Sequence, residues 1–230
     1  MPLTDSPVEP WSVERSENTG LLRLFVGFAG LLWVTVALGI LVVNHDGPAG
    51  ASGPDLRIAR WMADHRSTWI TRIAELASFV GSSVVLIPAA AFAGVLIWRG
   101  TNRAGLAVLP VLALVDTEIV VQIAKRIVAR PRPHPALASA VFDGYAWPSG
   151  HAASAVAAAA SVWVVAEALS CPTTLRRRLG GTATFVAVLV VLSRVVLGAH
   201  WTTDVLMGGV VGIVVVMLLV KPLLERFPVR

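Results

Sequence analysis

Six apolar stretches, each close to the length that crosses a bilayer, dominate this chain. They fall at residues 21–43, 76–98, 104–124, 150–169, 181–199 and 203–220, and a helix needs about 20 apolar residues to span the hydrocarbon core. In lipid only helices and closed barrels satisfy every backbone polar group, and runs of this length are helical. The expected fold is therefore all-α, a polytopic membrane protein with six transmembrane helices. Composition agrees: 56% hydrophobic and 14% charged residues, with a mean hydropathy of +0.74, exclude an ordinary soluble domain.

Between the first two windows, the stretch from His45 to Glu75 opens rich in glycine and proline. It then becomes LRIARWMADHRSTWITRIAELASF, with apolar residues at helical spacing and charges between them. This pattern predicts a short amphipathic helix on the outer membrane surface between helices one and two. The second window is interrupted by serines and Pro88. The first follows a polar, acidic leader without a small-residue cleavage site, so a retained anchor is expected and not a signal peptide. The expected organisation is a cytoplasmic leader over 1–20, one membrane domain over 21–225 with its polar motifs at 125–204, and a tail over 226–230.

Lysine and arginine placement sets orientation. Arg99 and Arg103 lie between helices two and three, Arg176 to Arg178 between four and five, and Lys221, Arg226 and Arg230 after six. All fall on one side, hence cytoplasmic, with both termini inside. In the leader Asp5, Glu9, Glu14 and Glu17 outnumber Arg15, but acidic residues contribute little to topology. The pI near 10.6 is accounted for by these topology signals and by the site residues below. No basic stripe with interleaved aromatics is present, so no nucleic-acid partner is expected. The single Cys171 excludes an intrachain disulfide and any Cys-x-x-Cys metal or redox motif.

With this topology the loops joining helices three to four and five to six share the outer face, and both hold residues that a membrane protein would ordinarily avoid there. The first, AKRIVARPRPHPALASAVFDGYAWPSGH from Ala124, carries four basic side chains, Lys125, Arg126, Arg130 and Arg132. The second, LSRVVLGAHWTTD from Leu192, places an arginine near the end of helix five and a histidine four residues before an aspartate. Ionisable groups at membrane depth are costly and mark functional sites.

Sorted by chemistry, Lys125, Arg132 and Arg194 are permanent cations, His151 and His200 exchange protons, and Asp204 stands beside His200. That set fits a phosphoryl group. Arginine presents a planar fork of donors to phosphate oxygens, and lysine adds a point charge. The Pro148-Ser149-Gly150 turn that opens helix four aims backbone N–H groups and a positive helix end at the same anion. Gly150 lets the backbone approach an oxygen closely. His200 and Asp204, at i and i+4, are expected on one helix face, where the carboxylate holds one ring nitrogen protonated and leaves the other a lone pair. Such a histidine is a nucleophile or a base. Two histidines with different partners can divide attack on phosphorus and protonation of the leaving oxygen.

These residues carry a resemblance. Lys125, six residues, Arg132-Pro133; Pro148 to His151; and Ser193-Arg194, five residues, His200, three residues, Asp204 resemble the three-part signature of the type 2 phosphatidic acid phosphatase superfamily. That superfamily also includes vanadium-dependent haloperoxidases and bacterial acid phosphatases. The resemblance implies that His200 attacks phosphorus to give a phosphohistidine, with Asp204 orienting it. His151 would protonate the leaving group and later activate water. Lys125, Arg132, Ser149, Gly150 and Arg194 would bind the phosphoryl oxygens. It implies no cofactor and no metal.

The function expected is a membrane lipid phosphatase. It would remove a terminal phosphate from a polyprenyl diphosphate or a phospholipid monophosphate at the outer face, with membrane lipids as its surroundings. Alternatives are lipid-to-lipid phosphotransfer and, in another class, an anion or lipid transporter or a non-catalytic lipid-binding protein. The related repeats and interrupted midplane helices of many transporters are not evident in the sequence, and the polar residues gather at one face. Arg126, Arg130 and His134 read as a solvated loop face beside the motif. Glu118 and Gln122 read as a structural polar seam leading towards Lys125, with Asp116 nearby. Gly208, Gly209 and Gly212 suit close helix packing within the chain, and Trp147 and Trp201 read as interfacial anchors.

Overall fold

Helix is the only regular structure among the described residues, 10–46 and 53–226 of this computed structural model. The elements are α1 (Pro10–Asp46), α2 (Pro54–His65), α3 (Thr68–Val80), α4 (Ser83–Thr101), α5 (Ala104–Val128), α6 (Gly150–Ala168), α7 (Thr173–Val196) and α8 (Thr202–Arg226), with a 3-10 turn at Pro135–Leu137. Asp5, Glu9 and Arg230 lie outside the described residues. Six helices, α1 and α4 to α8, are long and apolar enough to cross a membrane. The chain is a multi-pass membrane protein.

Boundaries moved where local chemistry overrides hydropathy. The stretch expected to hold one amphipathic helix folds as two, α2 and α3, because Arg66 and Ser67 are extended between them. Gly81 closes α3 and extended Ser82 opens α4, so the second span begins at Ser83 and not at 76. Arg176 to Arg178, expected in a loop, occupy the first turns of α7, and Arg176 pairs with Glu167 of α6. Three charges lower the local hydropathy, yet arginine is a good helix former, so the helix outruns its apolar part. Lys221 and Arg226 likewise lie within α8. Helix α1 runs continuously through residue 20, where the leader was expected to end.

Small residues decide which helix is central. Ala152, Ala153, Ala155, Ala157 and Ala159 of α6 are buried, and α6 packs against α5, α7 and α8. A Cβ added at Gly208 would come within 3.2 Å of the Ala152 Cβ, and one at Gly212 would strike the Ala153 carbonyl. The glycine stripe thus lets α8 lie against α6 at backbone distance, as small residues do at helix interfaces in lipid. By contrast only 17% of the α1 span and 11% of the α4 span are buried, which makes those two helices the lipid-facing rim. Trp147 and Trp201 are not interfacial anchors: they are 3% and 1% exposed. Each indole N–H has a protein acceptor, Thr35 O at 2.9 Å and Pro131 O at 2.9 Å, which satisfies the polar edge that would otherwise seek the membrane surface.

The C-terminal ends of α5 and α7 and the N-terminal ends of α6 and α8 meet at one end of the bundle, where α2 and α3 also pack, through Asp55 to Thr203 and Ser78 to Arg194.

Candidate active site

Lys125 lies in the last turn of α5, and the helix stops at Ala129, whose left-handed backbone (φ 48°) turns the chain sharply. Such a conformation costs an alanine roughly 1–2 kcal/mol, so packing at this corner sustains it. Pro131 and Pro133 then restrict the backbone of the loop on either side of Arg132. Farther on, Ser149 caps α6, accepting weakly from the Ala152 amide at 3.5 Å, and Gly150 and His151 form its first turn. The second loop turns at Gly198 (φ +68°), where a Cβ would also come within 2.7 Å of the Ala138 Cα. Only glycine fits both demands. His200 follows in this turn, and so precedes α8. It does not share a helix face with Asp204, as the i, i+4 spacing suggested. Asp204 instead closes one half of a capping box, accepting the Trp201 amide on Oδ2 at 2.8 Å.

These ends enclose a cavity of about 450 Å³ lined by Lys125, Arg132, Gly150, His151, Arg194 and His200, with Glu118, Gln122 and Arg126 also on its wall. Arg132 donates to the carbonyls of Asp143 (3.0 Å), Gly144 (3.1 Å) and Ala199 (2.5 Å), and its Nη1 lies 3.2 Å from His200 Nε2. Lys125 Nζ donates to Tyr145 O at 2.9 Å. Arg194 donates to the Ser78 hydroxyl of α3, lies over the Phe142 ring at 5.5 Å, and its buried Nε has no acceptor among the described residues. Backbone carbonyls and a hydroxyl orient these three cations without neutralising them.

His200 is 2% exposed. Burial holds its pKa well below the ordinary imidazole value, and the neighbouring Arg132, Lys125 and Arg194 add to the effect. The ring is therefore neutral at ordinary pH. Burial also lowers the Arg132 pKa, with Asp204 and Asp143 acting in the opposite direction.

Two residues of the expected set lie behind this wall. Ser149 is fully buried, with its hydroxyl turned to the helix cap and its amide bonded to Asp204 O at 3.0 Å; a direct bond from this hydroxyl to phosphate does not fit that placement. Asp204 is also fully buried, with Oδ2 3.5 Å from His200 Nδ1. Arg130 is the clearest departure from the solvated loop face expected. It is 2% exposed and pairs with Asp204 Oδ1 at 2.6 Å and Asp55 Oδ2 at 2.9 Å. Asp55, from α2, has no distinguishing signal in the sequence: an aspartate after Gly-Pro looks like any helix-start carboxylate. Arg126 and His134 are exposed, the first at the cavity wall and the second capping the 3-10 turn. Glu118 accepts from Gln122 at 2.6 Å, and this seam borders the cavity. Asp116 faces a separate groove between α1 and α5.

The matches to known proteins follow this architecture. The family model of the PAP2 superfamily matches residues 105–227, over half of the chain and all the loop residues above. The chain belongs to the PAP2 superfamily. Its fold is also that of two solved structures. A transmembrane PAP2-type phosphatidylglycerolphosphate phosphatase from Bacillus subtilis superposes with a TM-score of 0.73 at 22% identity, covering 87% of this chain and 97% of its own. LpxE from Aquifex aeolicus superposes with a TM-score of 0.59 at 22% identity, covering 74% of this chain and 96% of its own. No curated relative matches by sequence. In this PAP2 chain the matched region holds the whole cavity except Ser83 of α4, whereas Asp55 and Ser78 come from helices that precede it.

Proposed function

We propose that this PAP2 protein is a membrane lipid phosphatase that removes a terminal phosphate from a polyprenyl diphosphate or a phospholipid monophosphate through a phosphohistidine. The observation that carries the reading is one cavity at a bundle end with two histidines and three cations that make no carboxylate ion pair among the described residues. A phosphoryl dianion supplies the missing counter-charge, and its oxygens match the forks of Arg132 and Arg194, the Lys125 ammonium and the Gly150 amide at the α6 N-terminus. Ser149 contributes by fixing that helix end.

In the first step the neutral His200 Nε2 bonds to phosphorus and the P–O bond to the leaving group breaks, an ester bond in a phospholipid monophosphate and an anhydride bond in a polyprenyl diphosphate. The electron pair leaves on the oxygen, which takes a proton from His151. Asp204 faces the Nδ1–H of the ring as it becomes cationic. His151, now a base, then takes a proton from water as that water attacks the phosphohistidine, which releases phosphate and restores His200. The cations offset charge on the equatorial oxygens throughout. The end-of-bundle position suits a headgroup whose tail remains in the bilayer. The Arg99, Arg103 and Arg176 to Arg178 clusters lie at the opposite end, which supports an outer-face site with both termini cytoplasmic.

The test is phosphate release by purified protein across phosphatidic acid, phosphatidylglycerol phosphate and a polyprenyl diphosphate, with His200→Ala in parallel. Release from at least one lipid, lost in His200→Ala, is expected; no release from any of them contradicts the reading. For orientation, an impermeant thiol reagent on intact cells should miss Cys171 and label Ala138→Cys in a Cys171→Ser background. The reverse pattern would put the substrate in the inner leaflet.

A further inference from the structure

Asp204 is not held by the histidine it serves. Its Oδ1 takes the Arg130 guanidinium at 2.6 Å and its Oδ2 takes the Trp201 amide at 2.8 Å, while His200 Nδ1 stands off at 3.5 Å. Arg130 in turn donates to Asp55 Oδ2 at 2.9 Å and to Thr203 Oγ1 at 2.7 Å. The Thr203 hydroxyl donates onward to Asp55 Oδ2, and the Thr203 amide donates to Asp55 Oδ1 at 3.0 Å. The guanidinium lies over the Trp201 ring at 5.6 Å. Asp55, Arg130 and Asp204 are 2%, 2% and 0% exposed.

Charge explains why a second carboxylate is there. Arg130 and Asp204 alone would form a neutral pair, leaving little field at His200. With Asp55 two carboxylates meet one guanidinium, so carboxylate outnumbers guanidinium among these three residues behind the imidazole. Buried charge of this kind is unfavourable without compensation. The compensation lies across the ring, where Lys125, Arg132 and Arg194 face the cavity. His200 sits between the two.

We propose that Asp55 and Arg130 are positioning residues for catalysis: they aim Asp204 at His200 Nδ1 and keep carboxylate in excess of guanidinium behind the ring while Nε2 bonds to phosphorus. This rests on His200 as the nucleophile. A role confined to pinning α2 to the bundle would leave turnover per folded molecule unchanged, and that difference is measurable. Asp55 precedes the region that the family model matches, so the proposal stands on the contacts alone.

The experiment uses full-length protein in detergent micelles, the lipid from the panel that the wild type hydrolyses fastest, and orthovanadate as the pocket probe. Asp55→Asn keeps the size and the acceptor for the Thr203 amide but removes the charge. It should lower kcat roughly 10- to 100-fold, the scale seen when partners of a reacting group's own ligands are lost, with KM and vanadate inhibition within about twofold of wild type. Asp55→Glu should recover part of that loss. In an Asp204→Asn background, Asp55→Asn should cost less than about threefold, because the two act in one chain. Equal losses in both backgrounds, weakened vanadate binding, or a wild-type kcat for Asp55→Asn overturns the proposal. If Asp55→Asn does not purify as folded protein, Thr203→Val decides: it keeps all three charges and removes only the bridging hydroxyl. A lowered kcat with unchanged vanadate inhibition is then expected, and an unchanged kcat overturns the proposal. His200→Ala separates the two levels. Turnover that survives it removes the nucleophile assignment and this proposal together; His200-dependent turnover indifferent to Asp55 and Thr203 removes this proposal only.

Discussion

Arg130 and Arg132 are two residues apart and meet opposite surroundings. Arg130 is sealed against two carboxylates. Arg132 borders the cavity, and its bonds are to backbone carbonyls and the His200 ring. The first region is closed: its donors and acceptors answer one another. The second is open: its cations are oriented by backbone carbonyls and a hydroxyl, feel the carboxylates only at a distance, and keep donors free to face an anion. A buried pair that loses one partner is destabilised by about 3–5 kcal/mol, whereas an oriented cation without a carboxylate gives up little stability when removed and much binding. Position within a motif therefore says less about an arginine's work than the charge of its neighbours.

The largest effect should come where the two regions meet. His200→Ala is expected to lower kcat by roughly 10⁴-fold or more while the protein stays folded, and Asp204→Asn by a large but smaller factor. Phosphate-release assays on equal amounts of monodisperse protein read both, and near-normal turnover in His200→Ala would erase the distinction between pocket and backing cluster.

Next in size is the open region alone. Arg132→Gln should cost about 10²–10³-fold in kcat/KM, as loss of a donor to developing charge does, and should weaken vanadate inhibition. It also has a pH signature. Burial first, and Arg132 next, hold the His200 pKa down, and the proposed attack on phosphorus needs the neutral ring. In the wild type the acid limb of kcat/KM from His200 therefore lies well below pH 6.5, the ordinary imidazole value. Removing the Arg132 cation raises that pKa, so the limb should move to higher pH. A limb that stays put or moves lower contradicts the assigned neighbourhood.

Much of the open region was legible in the sequence because its chemistry is concentrated in residue types that lipid excludes. Lys125, Arg132, Arg194, His151 and His200 stand out against apolar helices, and their spacing matched a known signature. The closed region was not legible for the same physical reason reversed: a satisfied buried charge has the same letter as a solvated one. Arg130 read as a loop cation, and Asp55 lies 75 positions from it in the chain, so only folding reveals the pair. Trp147 and Trp201 are ambiguous in sequence because indoles near span ends suit either a membrane belt or a buried site with one acceptor, and in the fold Thr35 and Pro131 supply the acceptors. The six spans were visible from hydropathy, whereas their ends were set by Gly81, extended Ser67 and helix-forming arginines.

A smaller effect tests what keeps both regions in register. The α6–α8 seam carries His151 and Asp204 on facing helices, and Gly212→Leu would force them apart against the Ala153 carbonyl. It should cost about 1–3 kcal/mol by overpacking, read as a lower melting temperature in detergent, with vanadate affinity and kcat falling together. A selective loss of one would separate the regions more than the packing implies. The smallest effect concerns metal. Charge in the open region is supplied by side chains, so EDTA should leave activity within experimental error of untreated protein, and full loss restored by a divalent cation would contradict the cation cradle.

The most direct measurement of the central claim is the identity of the phosphorylated side chain during turnover. Protein mixed with its fastest lipid substrate, quenched in alkali within one turnover and digested for peptide mapping by mass spectrometry, should carry an acid-labile phosphoryl group on His200, with none in Asp204→Asn beyond a small residual fraction. A phosphoryl group on His151 or on a carboxylate, or single-turnover hydrolysis with no phosphorylated peptide at any quench time, would contradict the assignment of His200 as the nucleophile between the open and closed regions.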